Sequence, residues 1–157
     1  MIRNDKNNFA SVTEKLSIGD TIRQDLESSS QLMLNELPSA LVWEWDDRFD
    51  VPLLVFPKDM EEEISTVIKR HFTNQWDINS VKMSPPVIRK LLDKSFGIRG
   101  GQIVLATDTT KEAFLFALYW PWGDGATISL RVSLTGKGIM GADQEKIEEY
   151  LRQWFRL

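Results

Sequence analysis

QIVLATDTTKEAFLFALYWPWGDGATISLRVSLTGKGIMGADQEKIEEYLRQWFRL, residues 102–157, reads as three consecutive strands closed by an amphipathic helix. Gln102 to Thr107 is a strand entered through Gly100-Gly101. Glu112 to Trp120 is apolar on both sides. Phe114, Phe116, Leu118 and Trp120 share one face, and Ala113, Leu115, Ala117 and Tyr119 the other. That pattern predicts an interior strand covered on both faces. Pro121 cannot donate to a ladder and is expected to end it. Gly123-Asp124-Gly125 makes the next turn. Thr127 to Leu134 then alternates, with Ile128, Leu130, Val132 and Leu134 inward and Thr127, Ser129, Arg131 and Ser133 toward water. In the last element, Asp143 to Phe155, Ile147, Tyr150, Leu151, Trp154 and Phe155 follow helical spacing. Glu148 and Arg152 form an i, i+4 pair on its wet side. Three adjoining strands with short polar connections predict an antiparallel meander, with the helix laid across it.

Upstream, Asp20 to Leu37 reads as a helix that Pro38 terminates. Ala40 to Asp46 and Val51 to Phe56 form a hairpin through the turn Asp47-Arg48-Phe49-Asp50. Asp59 to Phe72 is a helix with Asp59 placed as its cap and Glu62 completing a capping box. Glu61, Glu62 and Glu63 fill its first turn, and Lys69 and Arg70 its last, as the helix dipole favours. Residues 73–83 show no regular pattern. Ser84 caps another helix with Pro85 at its first position, running to Phe96 and stopped by Gly97.

The expected order is α-β-β-α-α-β-β-β-α: a single α+β domain with a five-stranded, mostly antiparallel sheet and helices packed on it. Apart from the additional helix at 85–96, this order resembles the roadblock and profilin-like group of small α+β domains. Type III secretion chaperones use related elements in a somewhat different order. The resemblance covers most of the chain and lies in element order. No residue motif accompanies it, so no functional residue is transferred.

The chain has 157 residues, the size of one domain, which is expected over 13–157. Residues 1–12 are expected to be disordered. Net charge is −4, so no overall basic field exists to attract nucleic acid or anionic lipid. With no cysteine, disulfides, thiolate nucleophiles and cysteine zinc sites are excluded. The polar start lacks the apolar core of a signal peptide, and no apolar run reaches the ~20 residues of a membrane helix. A cytoplasmic protein without a cofactor is the expectation.

Gly136-Lys137-Gly138-Ile139-Met140-Gly141 is a literal G-x-G-x-x-G between a strand and a helix. Free N–H groups at such a helix start can cradle an anion. A dinucleotide site also needs a following parallel strand carrying an acid. Here the remaining residues are taken up by the closing helix. A connection that lets this helix fold back onto the sheet is the simpler reading, and Lys137 keeps an anion-binding role open.

His71, the lone histidine, has Arg70 and Phe72 beside it and no orienting partner in its neighbourhood, so a structural role is expected. Asp46-Asp47 and Asp108 are explained by turn chemistry. A metal-dependent hydrolase would require them to converge in one pocket. Trp122 lies past a proline at a turn, hard to bury, and Trp120 precedes it. Aromatics at rims are enriched in binding surfaces. Arg89, Lys90 and Lys94, with Arg99, make a basic face that an acidic partner segment fits.

These features point to a non-enzymatic protein-binding module: an adaptor, chaperone, immunity or assembly factor whose partner is another protein or a second copy of itself. The alternative is a small-ligand or nucleotide-sensing domain using Gly136, Lys137, Gly138 and Gly141.

Overall fold

The computed structural model describes residues 19–139 and 144–157. The expected disorder of 1–12, and the positions Gly141 and Asp143, lie outside the described residues.

Helix α1, Asp20–Glu36, buries Leu26, Ser30 and Met33 along one stripe. The Ser30 hydroxyl donates to the Leu26 carbonyl at 2.7 Å, so the serine sits in the helix without an unmet polar group. Strands β1, Trp43–Asp46, and β2, Val51–Pro57, form the expected hairpin, with Trp43 opposite Leu54 and Asp46 opposite Val51.

Helix α2 runs from Glu61 to His71 behind a 3₁₀ turn at Lys58–Met60. The acidic first turn and basic last turn are as read from the sequence. The capping box is not formed: the helix starts after Met60, and no side chain caps it. The 3₁₀ turn takes up Asp59, shifting the start by two residues.

A sixth strand, β3, Asn74–Trp76, replaces part of the stretch read as irregular. It pairs antiparallel with β4, Ile103–Ala106, placing Asn74 opposite Ala106 and Trp76 opposite Val104. Three residues, two of them polar amides, are too short to show an alternation. The pairing is a tertiary event, reinforced by Asn74 Nδ2 donating to the Thr107 carbonyl at 2.9 Å.

Helix α3, Pro86–Leu91, continues as a π turn, Leu92–Phe96. Its start lies one residue later than expected: Pro86 opens it, and the Ser84 hydroxyl turns back to the Val81 carbonyl at 2.6 Å. Gly97 stops it at φ 70°, a conformation that suits glycine. Strands β5, Phe114–Pro121, and β6, Thr127–Thr135, follow, and helix α4, Gln144–Phe155, ends the described chain.

The sheet order is β1-β2-β6-β5-β4-β3, antiparallel throughout. The expected meander is therefore present, inside a sheet of six strands rather than five. Among the described residues no helix is long and apolar enough to cross a membrane.

Helices α1, α2 and α4 share one face. Leu26, Met33, Ile64, Ile68, Leu151, Trp154 and Phe155 pack there on Leu54, Phe56, Leu115 and Leu130. Trp154 is 1% exposed, and removing a side chain that large from water contributes at most about 4–6 kcal/mol of transfer free energy.

The opposite face corrects one expectation. Ser129 and Thr135 of β6 are buried, and Arg131 and Ser133 are only partly exposed. The polar side of β6 does not face open water, because α3 and the β1–β2 turn fold over that side. Ile88 and Leu92 of α3 pack with Val104, Ala106, Phe114, Phe116 and Leu118 into a second core. This gives β5 the cover on both faces that its sequence predicts.

Candidate functional site

On the second face α3 packs mainly over β3, β4 and β5. The neighbouring part, over β6 and β2, is reached by the turn between β1 and β2. There the Phe49 ring lies 5.1 Å from Phe96 and meets Trp120 edge-on at 5.8 Å.

A cleft of about 830 Å³ opens along this junction. Its apolar wall includes Phe49, Val87, Leu91, Phe96 and Ile147, and its polar lining includes Ser133 and Thr135 of β6. Arg48, Lys90 and Lys94 also line it, with Asp50. None of the three is ion-paired among the described residues, where the paired cations are Arg23, Arg70, Arg131 and Lys146. A second cavity of about 470 Å³ adjoins it, sharing Val87 and Lys90, and adds Lys111 and Lys137 beside Pro86, Thr109 and Gly138. Lys90 and Lys94 of α3 and Lys137 of the glycine turn, read separately from the sequence, thus line two adjoining cavities that meet at Val87 and Lys90 as a basic trough. Arg89 is exposed on α3 and lines neither cavity.

An ion pair underlies the Phe49 turn. Arg131 Nε donates to Asp46 Oδ2 at 2.6 Å, and Arg131 Nη1 to the Ser129 hydroxyl at 3.0 Å. The guanidinium lies 4.6 Å from the Trp120 ring centroid and 5.3 Å from that of Phe49. The other Asp46 oxygen accepts the Arg48 N–H at 2.9 Å, so turn chemistry and ion pairing act on one carboxylate. Burial alone would raise the Asp46 pKa. The hydrogen bonds from Arg131 and Arg48 and the Arg131 charge outweigh it and hold the carboxyl below its ordinary value. This pair anchors the turn that carries Arg48 and Phe49 to the cleft.

Trp120 stands against Arg131, and its indole Nε1 is buried without a hydrogen-bond partner among the described residues. Trp122 is 47% exposed at the β5–β6 turn and lines neither cavity.

In the glycine turn, Lys137–Ile139 forms a 3₁₀ turn. The Gly138 N–H donates to the Glu112 carbonyl at 2.8 Å, and the Ile139 N–H to the Gly136 carbonyl at 3.3 Å. These two N–H groups are thereby committed within the protein and are not free for an anion. Gly136 sits at φ 140°, and a Cβ there would stand 2.2 Å from the Glu112 carbonyl oxygen. The glycine permits close backbone approach where β6 leaves the sheet.

His71 does have an orienting partner, from a distant part of the chain. Its Nε2 lies 3.2 Å from Glu36 Oε2 of α1, and Arg70 Nη1 lies 3.5 Å from the same oxygen. Ser30 and His71 border a cavity of about 250 Å³, but the Ser30 hydroxyl is committed to Leu26. The arrangement ties α1 to α2 and assembles no nucleophile. The Tyr119 hydroxyl donates to Glu61; burial, then that hydrogen bond and the Glu61 charge, push its pKa up. Asp108 accepts from the Thr110 N–H at 3.0 Å and the Thr110 hydroxyl at 2.5 Å, closing its own turn. It follows β4, four strand spacings from β1 and Asp46 in the sheet order, on the order of 19 Å apart. The hydrolase reading needed these acids in one pocket. Among the described residues no group of three or more histidine and acidic side chains is placed to hold a metal ion.

Comparison with protein-family models, curated proteins and solved structures returns no match.

Proposed function

We propose that this chain is a non-enzymatic protein-binding module that receives its partner in the cleft between α3 and the β1–β2 turn. The observation that carries this reading is the cleft: about 830 Å³ with apolar walls between α3 and the β1–β2 turn, its lining including Asp50 and three cations without an ion-pair partner among the described residues. An apolar centre with a charged, solvated rim is the anatomy of a protein interface. The most reactive-looking groups, His71, Tyr119, Asp46 and Asp108, are each held by structural partners.

The test is a photo-crosslinking residue placed at Leu91, at Ser95 and, as a control, at Glu63 on the outer surface of α2. In cells that make the protein, the cleft positions should yield one discrete product, identified as another protein or a second copy of this chain. The same species should bind the purified chain at micromolar concentration or tighter. Equal labelling from Glu63, or no product from the cleft, would reject the module.

A second reading rests on the adjoining cavity. Lys90, Lys111 and Lys137 line about 470 Å³ together, a setting for a small anion. Of the glycine turn, Lys137 and Gly138 stand in this lining. Lys137→Ala with unchanged phosphate and nucleotide binding would end it.

A further inference from the structure

We infer that the occupant of the trough is an acidic, extended segment of a partner protein, with apolar side chains in the cleft and carboxylates along the lysines of α3 and the glycine turn. This rests on reading the chain as a binding module and specifies what it binds. Arg48, Lys90, Lys94, Lys111 and Lys137 line the two joined cavities, and none has an ion-pair partner among the described residues. The carboxylates lining those cavities are Asp50 and Glu112. In a chain of net charge −4, this concentrates positive charge on one surface while the rest repels acidic molecules. Such asymmetry steers an acidic partner to one place and orients it there.

Extent favours an extended segment over a small molecule. The larger cavity, 830 Å³, already lies near the top of the ~300–1,000 Å³ that small-ligand pockets span, and the second adjoins it at Val87 and Lys90. Chemistry selects a peptide over nucleic acid. The apolar walls call for aliphatic or aromatic side chains, whereas a single strand of nucleic acid asks for exposed rings on which bases stack. Phe49 and Phe96, the rings at the cleft, already lie against each other at 5.1 Å.

The probe is a fluorescent peptide of about ten residues that alternates aspartate or glutamate with leucine and phenylalanine. It should bind the full chain saturably in low salt and weaken about tenfold or more between 50 and 300 mM salt. The double substitution K90E/K94E should weaken binding by a further factor of about ten or more. Arg99→Glu, an exposed charge lining neither cavity, should change it less than about twofold. Circular dichroism of each variant should match the parent chain.

Three results would overturn the inference. One is no saturable binding in low salt. Another is an Arg99→Glu loss as large as that of K90E/K94E. The third is tighter binding of a single-stranded RNA oligonucleotide, at equal salt, that K90E/K94E abolishes. If the peptide fails while the cleft still crosslinks a reconstituted partner, the acidic-segment inference falls and the binding module stands. If the crosslinks fail as well, both fall.

Discussion

Asp46 and Arg131 meet at 2.6 Å with side chains only 8% and 14% exposed, across the strand that separates them. Such a pair resists the loss of one partner, because the other charge is left buried and unmatched. Asp46→Ala should cost about 3–5 kcal/mol in denaturant unfolding. The pair also fixes a pH dependence. The folded-state pKa of Asp46 lies below its unfolded value, so its contribution is present above the unfolded pKa and is lost as pH falls through the folded one. The stability gap between the parent chain and Asp46→Ala should shrink below about pH 4, measured by urea titrations at successive pH values. Gly136 gives a second test. Its φ of 140° and the 2.2 Å approach to Glu112 leave no room for a methyl group, so Gly136→Ala should cost about 3 kcal/mol. Gly138→Ala meets its nearest atom at 3.0 Å and should cost clearly less in the same titration.

Helix α3 is six residues followed by a π turn, far shorter than a segment stable in isolation. What holds it is Ile88 and Leu92 set into the second core. Ile88→Ala should therefore cost about 2–5 kcal/mol. The amides of α3 should exchange with solvent faster than those of β5, which is paired on both sides. Hydrogen exchange followed by mass spectrometry measures both. Equal protection of α3 and β5 would show that the helix is part of the main cooperative unit.

In the whole molecule, a compact three-helix face provides most of the core and leaves the other face to one short helix and one turn. Lys90 and Lys94 are exposed and unpaired among the described residues, so K90Q/K94Q should alter unfolding free energy by less than about 0.5 kcal/mol. A larger loss would mean that these cations support the fold, and a binding defect in the variant would then lose its meaning.

From the residues alone came the meander of β4, β5 and β6, the hairpin of β1 and β2, and the amphipathic stripes of α2 and α4. Periodicity and turn chemistry are local, and these elements follow local rules. β3 was invisible, since a three-residue edge strand has no period and exists only because β4 offers it a free edge. The polar row of β6 misled for a related reason. Alternation distinguishes two faces but cannot say that a short helix and a turn from elsewhere will cover the polar one. Lys90, Lys94 and Lys137 could be picked out individually as cations. That they line one trough, that Arg131 and Asp46 hold the turn bordering it, and that Glu36 reaches His71 are distances across the fold, and only tertiary packing sets those.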